Sequence, residues 1–124
     1  MKKIDMEPFG EGQQIWFNIG RLRRVEEILK QPIGEILKNL SSLSLKSLIV
    51  LLMVGMRQYG TYNEQYYENK IDKAMDAGYA LGDIQYCVLK AIASSGIMGK
   101  AAYYQYFPEE LTPSEDKEIE AEKN

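Results

Sequence analysis

The side chains of this protein that are suited to covalent or metal chemistry are few. The sequence has no histidine and a single cysteine, Cys87. Zinc sites normally need histidine or several cysteines, and Ser-His or Cys-His catalysis needs a histidine base, so these sites are excluded. The phosphate-binding patterns GxxxxGK[ST] and GxGxxG are absent from the sequence. An enzyme that uses only carboxylates or lysine is the minor alternative, but no pair of acids lies in an apolar context that would tune one of them. We therefore expect a non-enzymatic protein with no catalytic residue, no metal site and no cofactor.

Two further groups of reactive or charged side chains have simple structural interpretations. Cys87 lies on the apolar stripe of a predicted helix, which favours a small packed side chain over a reactive thiol. Arg21, Arg23 and Arg24 form the one basic cluster, and at helical spacing they are expected on a solvated flank. A pI near 5.1 disfavours nucleic-acid binding. The alternative function is a small DNA-binding regulator that uses the three arginines as phosphate contacts.

Charge is distributed unevenly along the chain. Residues 109–124 contain seven acids and two lysines, a net formal charge of −5, whereas the whole chain carries −3. The preceding part therefore carries about +2. We predict a single globular domain over residues 1–108, with a hairpin in 1–19 and a helical core in 20–98. Residues 109–124 are predicted to form a flexible acidic tail, disordered or loosely helical.

The densest apolar run, Leu48 to Met56, contains nine residues and is flanked by Lys46 and Arg57. A membrane-spanning helix needs about 20 apolar residues. The N-terminus has a basic start but no apolar segment typical of a signal peptide. We therefore expect no membrane association, and the single cysteine suits a reducing cytoplasm.

These side chains must be positioned by a mainly α-helical fold, predicted as a compact bundle of about five helices. The segments "KKIDMEPF" and "QQIWFNIG" flank "GEG" and predict a small N-terminal β-hairpin, which Trp16 or Phe17 would anchor. Apolar periodicity then predicts five helices. They begin near Gly20, Pro32, Leu45, Thr61 (with a Thr61–Glu64 capping box) and Leu81, and a short aromatic helix can precede Pro108.

The third predicted helix, from about Leu45 to Tyr59, is apolar on two sides. One side carries Leu45, Leu48, Ile49, Leu52, Met56 and Tyr59, and all of these except Tyr59 are expected to be core. The other side carries Val50, Met53 and Val54, where an ordinary surface helix is polar. Either another part of the domain covers these three residues, or another protein does. We include them in the predicted protein-interaction surface.

Tyrosines provide the second part of that predicted surface. The sequence has nine of them, and Tyr59, Tyr62 and Tyr66 follow one another at helical spacing. Tyrosines often cover the edge of a core with their hydroxyl groups in water, and this is the simpler interpretation. Tyrosine is also enriched at the energetic centres of protein interfaces, so these three complete the predicted surface.

The order of these segments resembles a known family. "IWF" leads into "LRRVEEIL", followed by "IGEIL", the long apolar helix, and "IDKAMDAGYALGDIQYCVLKAIASSG". Over residues 13–98 this is similar to the tail assembly chaperones of long-tailed bacteriophages, including the related small protein of gene-transfer-agent clusters. The shared motifs are a Leu-x-x-x-Glu-Glu helix and a hydrophobic-Gly-Glu-hydrophobic-Leu segment. The tyrosine-rich stretch from Met56 to Tyr67 departs from the pattern.

The resemblance implies a helper protein in the cytoplasm of a bacterial host. Such a protein binds the tape measure protein, keeps it soluble, helps to recruit tail tube subunits and is absent from the mature virion. It also implies self-association into an oligomer or spiral, since a head-to-tail interface that does not close generates a spiral coat.

Overall fold

The computed structural model describes residues 1–123, with the side chains at positions 115, 118, 122 and 123 excepted. The fold is mainly helical with a two-stranded antiparallel N-terminal hairpin, which confirms the predicted fold class. The strands and helices are β1 (Ile4–Asp5), β2 (Gln14–Ile15), α1 (Ile19–Leu29), α2 (Ile33–Lys38), α3 (Leu45–Gly55), α4 (Glu64–Asp76), α5 (Leu81–Ser94), α6 (Lys100–Tyr106) and α7 (Pro113–Lys123). Short 3₁₀ turns lie at Glu7–Phe9, Leu40–Ser42, Arg57–Tyr59 and Pro108–Glu110.

The hairpin pairs Ile4 with Ile15 and Asp5 with Gln14. Its strands are short because the connection contains Pro8 within a 3₁₀ turn, and proline has no N–H for a strand ladder. A two-stranded hairpin is marginal unless it packs on another element. Phe17, one of the two predicted anchors, is fully buried directly after β2.

The hairpin packs on the C-terminal end of α3 at Gly55. A Cβ atom built at Gly55 would lie 2.7 Å from Ile15 Cγ1 and 2.7 Å from Phe17 Cζ. The Trp16 N–H also donates a hydrogen bond to the Gly55 carbonyl over 3.1 Å. The glycine that interrupts the apolar run therefore leaves the space in which the hairpin packs.

Helix α3 is the central element, in contact with α1, α4 and α5. Its buried side chains point in several directions, which accounts for the two apolar sides seen in the sequence: Leu48, Val50, Leu51, Leu52 and Val54. The prediction that Leu45 belongs to the core is wrong, since its side chain is 58% exposed. Leu45 is the first residue of α3, directly after the Ser44 cap, where the helix has not yet entered the bundle.

Two predicted helix boundaries are corrected. The third helix ends at Gly55 rather than near Tyr59, and a separate 3₁₀ turn carries Tyr59. Asn63, not Thr61, caps α4, and its side-chain oxygen accepts from the Tyr66 N–H over 3.0 Å. Asparagine is among the strongest N-cap residues, so it replaces the predicted capping box.

The acidic tail contains α7, so the helical alternative is the one observed. The helix starts at Pro113, and proline is well suited to a first helical turn. Ile119 on this helix is buried. The predicted domain boundary at residue 108 coincides with a 3₁₀ turn at Pro108–Glu110 and stays a prediction.

Candidate protein-binding surface

The second side of α3 is covered by the protein's own domain. Val50 is fully buried, Val54 is 4% exposed, and Met53 is partly buried against the core. Of the two alternatives, coverage by another part of the domain is therefore the one observed. The interpretation of Val50 and Val54 as a free partner-binding surface is wrong, because α3 lies between α1, α4 and α5.

Tyr59 forms hydrogen bonds that hold the N-terminal hairpin in place. Its hydroxyl oxygen accepts from the Gln14 N–H over 2.9 Å, and the same hydroxyl donates to the Gly12 carbonyl over 3.4 Å. The neighbouring Gln58 side chain donates to the Gln14 carbonyl over 2.7 Å. Part of the Tyr59 ring is exposed. These hydrogen bonds give Tyr59 a structural role in holding the hairpin. Tyr59 therefore lies beside the predicted protein-interaction surface rather than at its centre.

Tyr62 and Tyr66 form a stacked pair, which we call the tyrosine shelf. Their ring centroids are 3.9 Å apart with planes inclined by 12°. Tyr66 meets Tyr67 edge to face at 5.0 Å. Tyr67 is buried, which raises the pKa of its hydroxyl to about 12 through desolvation, with smaller contributions from Tyr66 and Tyr62. The buried Tyr67 ring thus supports the tyrosine shelf from the core, and the Tyr62 ring is the exposed member of the pair.

The turn before α4 sets the position of the outer ring. Gly60 has φ +137°, a conformation that favours glycine. A Cβ atom at Gly60 would also lie 2.9 Å from Tyr62 Cε2. The chain therefore bends closely around the Tyr62 ring, and the shelf is held by backbone geometry as well as by stacking.

Two depressions lie along α4 beside the tyrosine shelf, and they share two lysines. The Lys70 ammonium group lies 5.5 Å from the centre of the Tyr66 ring. Lys70 and Lys73 line both a small depression beside Tyr66 and a larger groove of about 840 Å³ between α4 and the hairpin connection. We call the larger space the α4 groove. Its walls also include Phe9 and Tyr79.

The α4 groove carries both signs of charge over a partly apolar floor. Lys70 and Lys73 stand on its α4 side, and the acids lining it are Asp5, Glu7 and Glu11. Among the described side chains, none of these five charged groups forms an ion pair. Phe9 contributes apolar floor and packs near Tyr67 with ring centroids 6.5 Å apart. This combination suits an amphipathic peptide or helix with charges of both signs along its flanks.

The lysines and the hairpin connection were not singled out from the sequence. The signal that could have found the lysines is the spacing of Tyr66, Lys70, Lys73 and Ala77, which places them on one helical face. That face is distinct from the buried stripe of α4 formed by Tyr67, Ile71 and Ala74. The hairpin connection is distant in sequence, and only the packing of the hairpin brings it to α4.

Arg21 is not available to a phosphate group. Its side chain is 3% exposed, and its Nη1 donates to the Gly55 carbonyl and to Gln58 Oε1, each over 2.8 Å. The guanidinium carbon lies 3.2 Å from the centre of the Trp16 ring. Burial lowers the pKa of Arg21 to about 10, with a smaller effect of Arg57. The expectation of a solvated Arg21 is therefore wrong.

The other two arginines remain on the surface. Arg23 and Arg24 pair with Glu27 over 3.2 and 3.1 Å. Exposed pairs of this kind contribute up to about 1 kcal/mol each. The basic cluster of the sequence is thus divided between one buried hydrogen-bond donor and two surface arginines that share the single carboxylate of Glu27.

Cys87 is a free, partly buried thiol whose pKa is raised chiefly by burial, as expected for a packed side chain. In the described part of the chain, no group of three or more histidine, cysteine, aspartate or glutamate residues is arranged to hold a metal ion. Within residues 1–123, no helix has both the length and the apolar character that a membrane crossing requires.

Comparison of the chain with protein-family models, with curated proteins and with solved structures finds no match. The function is therefore argued from the side chains and surfaces of this chain, together with the sequence motifs described above.

Proposed function

We propose that this protein is a non-enzymatic tail assembly chaperone of a long-tailed bacteriophage or prophage. In this proposal it binds the tape measure protein in the cytoplasm of the bacterial host and helps to recruit tail tube subunits. It self-associates while it coats the tape measure protein, and it leaves before the virion is complete.

The observation that carries the proposal is the exposed, preformed tyrosine shelf at one end of the α4 groove. Tyr62 is 38% exposed and yet is stacked on Tyr66. Binding normally costs the ordering of surface side chains, and this cost is small for rings that are already held. Rigid, exposed tyrosines are typical of the energetic centres of protein interfaces.

The shape and charge of the α4 groove support the same class of partner. A tape measure protein is expected to be long and helical, with apolar stripes flanked by charges. The face of α4 that carries Tyr66, Lys70, Lys73 and Ala77, which we call the outer stripe, extends about 16 Å at 1.5 Å per residue. A partner helix of roughly three turns can therefore lie along it with apolar residues on the tyrosine shelf and on Phe9.

The test is co-expression with the tape measure protein encoded in the same gene cluster, followed by affinity capture. Wild-type protein is expected to keep the tape measure protein soluble and to co-purify with it. The double substitution Tyr62→Ala/Tyr66→Ala is expected to reduce capture at least about tenfold, since buried interface tyrosines are worth about 2 kcal/mol or more. Circular dichroism should show an unchanged helical content, because Tyr67 still fills the core.

A matched control is Leu45→Ala, which removes another exposed apolar side chain remote in sequence from the groove. It is expected to leave capture unchanged. Equal capture by the Tyr62→Ala/Tyr66→Ala and wild-type proteins would contradict the proposed binding surface. A gene cluster without a tape measure gene would contradict the proposed function as a whole.

A further inference from the structure

A second cleft, distinct from the α4 groove, lies between the N-terminal segment and α5. It has a volume of about 270 Å³, and three lysines surround an aromatic wall there: Lys2, Lys3 and Lys90 around Tyr86 and Phe107. We call it the lysine cleft. Asp5 is the acidic residue in its lining, so the cleft carries a net positive charge.

Two of the three lysines form no ion pair with any acid whose side chain the structure describes. Lys2 pairs with Glu110 over 3.1 Å, and Glu110 also accepts from the Tyr103 hydroxyl. Lys90 lies 5.1 Å from the Phe107 ring centre and 5.9 Å from that of Tyr86. Among the described side chains, Lys3 and Lys90 form no ion pair. With respect to the described acids, the cleft therefore presents two ammonium groups without an ion-pair partner beside the exposed Tyr86 ring.

The acidic helix α7 has the complementary property. Residues 109–124 carry seven acids and two lysines. Asp116 and Glu120 are exposed and lie one helical turn apart, so they share a face. Neither acid forms an ion pair with a side chain that the structure describes. The described acids of α7 and the lysines Lys3 and Lys90 thus carry complementary charges and form no ion pair with one another.

The tail begins beside the lysine cleft. Glu110 holds the start of the tail at Lys2, and only Leu111 and Thr112 separate it from Pro113. In the structure the helix continues from this point without pairing its described acids with Lys3 or Lys90. The α7 helix of a second molecule can present its exposed acidic face, which carries Asp116 and Glu120, to the cleft while its Ile119 stays buried.

We propose that the lysine cleft binds the acidic helix α7 of a second copy of this chain. The lysine cleft and α7 are different surfaces, and each molecule offers its cleft to one neighbour and its α7 to another. The contact is therefore head to tail rather than a closed symmetric dimer. This inference deepens the proposed self-association and rests on it. Because the contact joins exposed charges, it is expected to be weak and to be screened by salt.

The first test is sedimentation velocity of the full chain at rising concentration, in 20 mM and in 300 mM NaCl. At low salt the weight-average mass is expected to rise with concentration well above the monomer mass of 14.2 kDa. At high salt it is expected to return toward the monomer. A synthetic peptide with the sequence of residues 109–124 should lower the mass at low salt by competing for the cleft.

Charge reversal identifies the two surfaces. Lys3→Glu/Lys90→Glu and Asp116→Lys/Glu120→Lys are each expected to weaken self-association at least about tenfold. An equimolar mixture of the two variants should regain association, because each supplies the partner that the other lacks. The control Lys38→Glu/Lys46→Glu makes the same change in net charge as the first variant at exposed positions of α2 and α3, and should associate as wild type does. Thermal melting checks that every variant folds.

Three results would overturn the inference: a monomer at every concentration and salt, association that is unaffected by either reversal, or a mixture that fails to regain association. The proposed function is tested separately. Lys3→Glu/Lys90→Glu protein that stays monomeric but still captures the tape measure protein supports the function and the cleft together. Tyr62→Ala/Tyr66→Ala protein should lose capture and keep self-association.

Discussion

Helix α3 and the tyrosines Tyr62 and Tyr66 near the start of α4 were both predicted from the sequence to contribute to a partner surface, but the structure buries the second side of α3 and leaves Tyr62 exposed. The apolar second side of α3 is enclosed by the bundle, with Val50 fully buried. The outer stripe of α4 combines Tyr66 with Lys70 and Lys73 and lines an open groove. Dense apolar character in a sequence therefore predicts burial, whereas aromatic residues interspersed with charges indicate a surface that stays accessible.

The largest expected effect comes from placing a charge on the buried second side of α3. Val50→Glu places a charge in a fully buried position of α3. We expect a loss of more than about 3 kcal/mol of unfolding free energy, a large share of the stability of a small domain. Chemical denaturation followed by circular dichroism measures it. Lys46→Glu, an exposed charge change on the same helix, should shift stability by no more than about 0.5 kcal/mol.

A folded Val50→Glu protein with near wild-type stability would mean that this side of α3 reaches solvent. It would also return Val50 to the candidate partner surface and remove the contrast between the two helices.

A smaller effect is expected where the hairpin meets α3. Gly55→Ala introduces a methyl group 2.7 Å from Ile15 and Phe17, and we expect about 1–3 kcal/mol of destabilisation through overpacking. Gly82→Ala in α5 is the matched control, because a Cβ atom there meets nothing within 4 Å. The control should stabilise the protein by up to about 1 kcal/mol, since alanine favours helix over glycine.

Equal stabilities for the Gly55→Ala and Gly82→Ala proteins would show that the hairpin does not pack tightly on α3. The acidic connection of the hairpin would then lose its fixed position at the α4 groove, and the groove would have one wall rather than two.

The sequence was sufficient for the helical fold, the hairpin and the five main helices, because apolar periodicity and turn residues are local signals. It was insufficient for Arg21, whose partners Trp16, Gly55 and Gln58 meet only after the hairpin has packed on α3. Periodicity likewise showed that α3 has two apolar sides but not what covers the second one.

The candidate surface was predicted in part. Tyr62 and Tyr66 were identified from residue type and spacing, and the structure stacks them. The opposite wall of the α4 groove comes from the hairpin connection at Glu7–Gln13, which is more than 50 residues from α4 in the sequence. Such a juxtaposition depends on tertiary packing, so no local pattern could reveal it.

The most direct test of the central claim is hydrogen–deuterium exchange of the full chain with and without the tape measure protein of its gene cluster. We predict slower exchange on binding in α4 and in the hairpin connection, with little change in α3, whose amides are already protected in the core. Protection confined to other surfaces, with α4 and the hairpin connection unchanged, would contradict the claim that the α4 groove and its tyrosine shelf bind the partner.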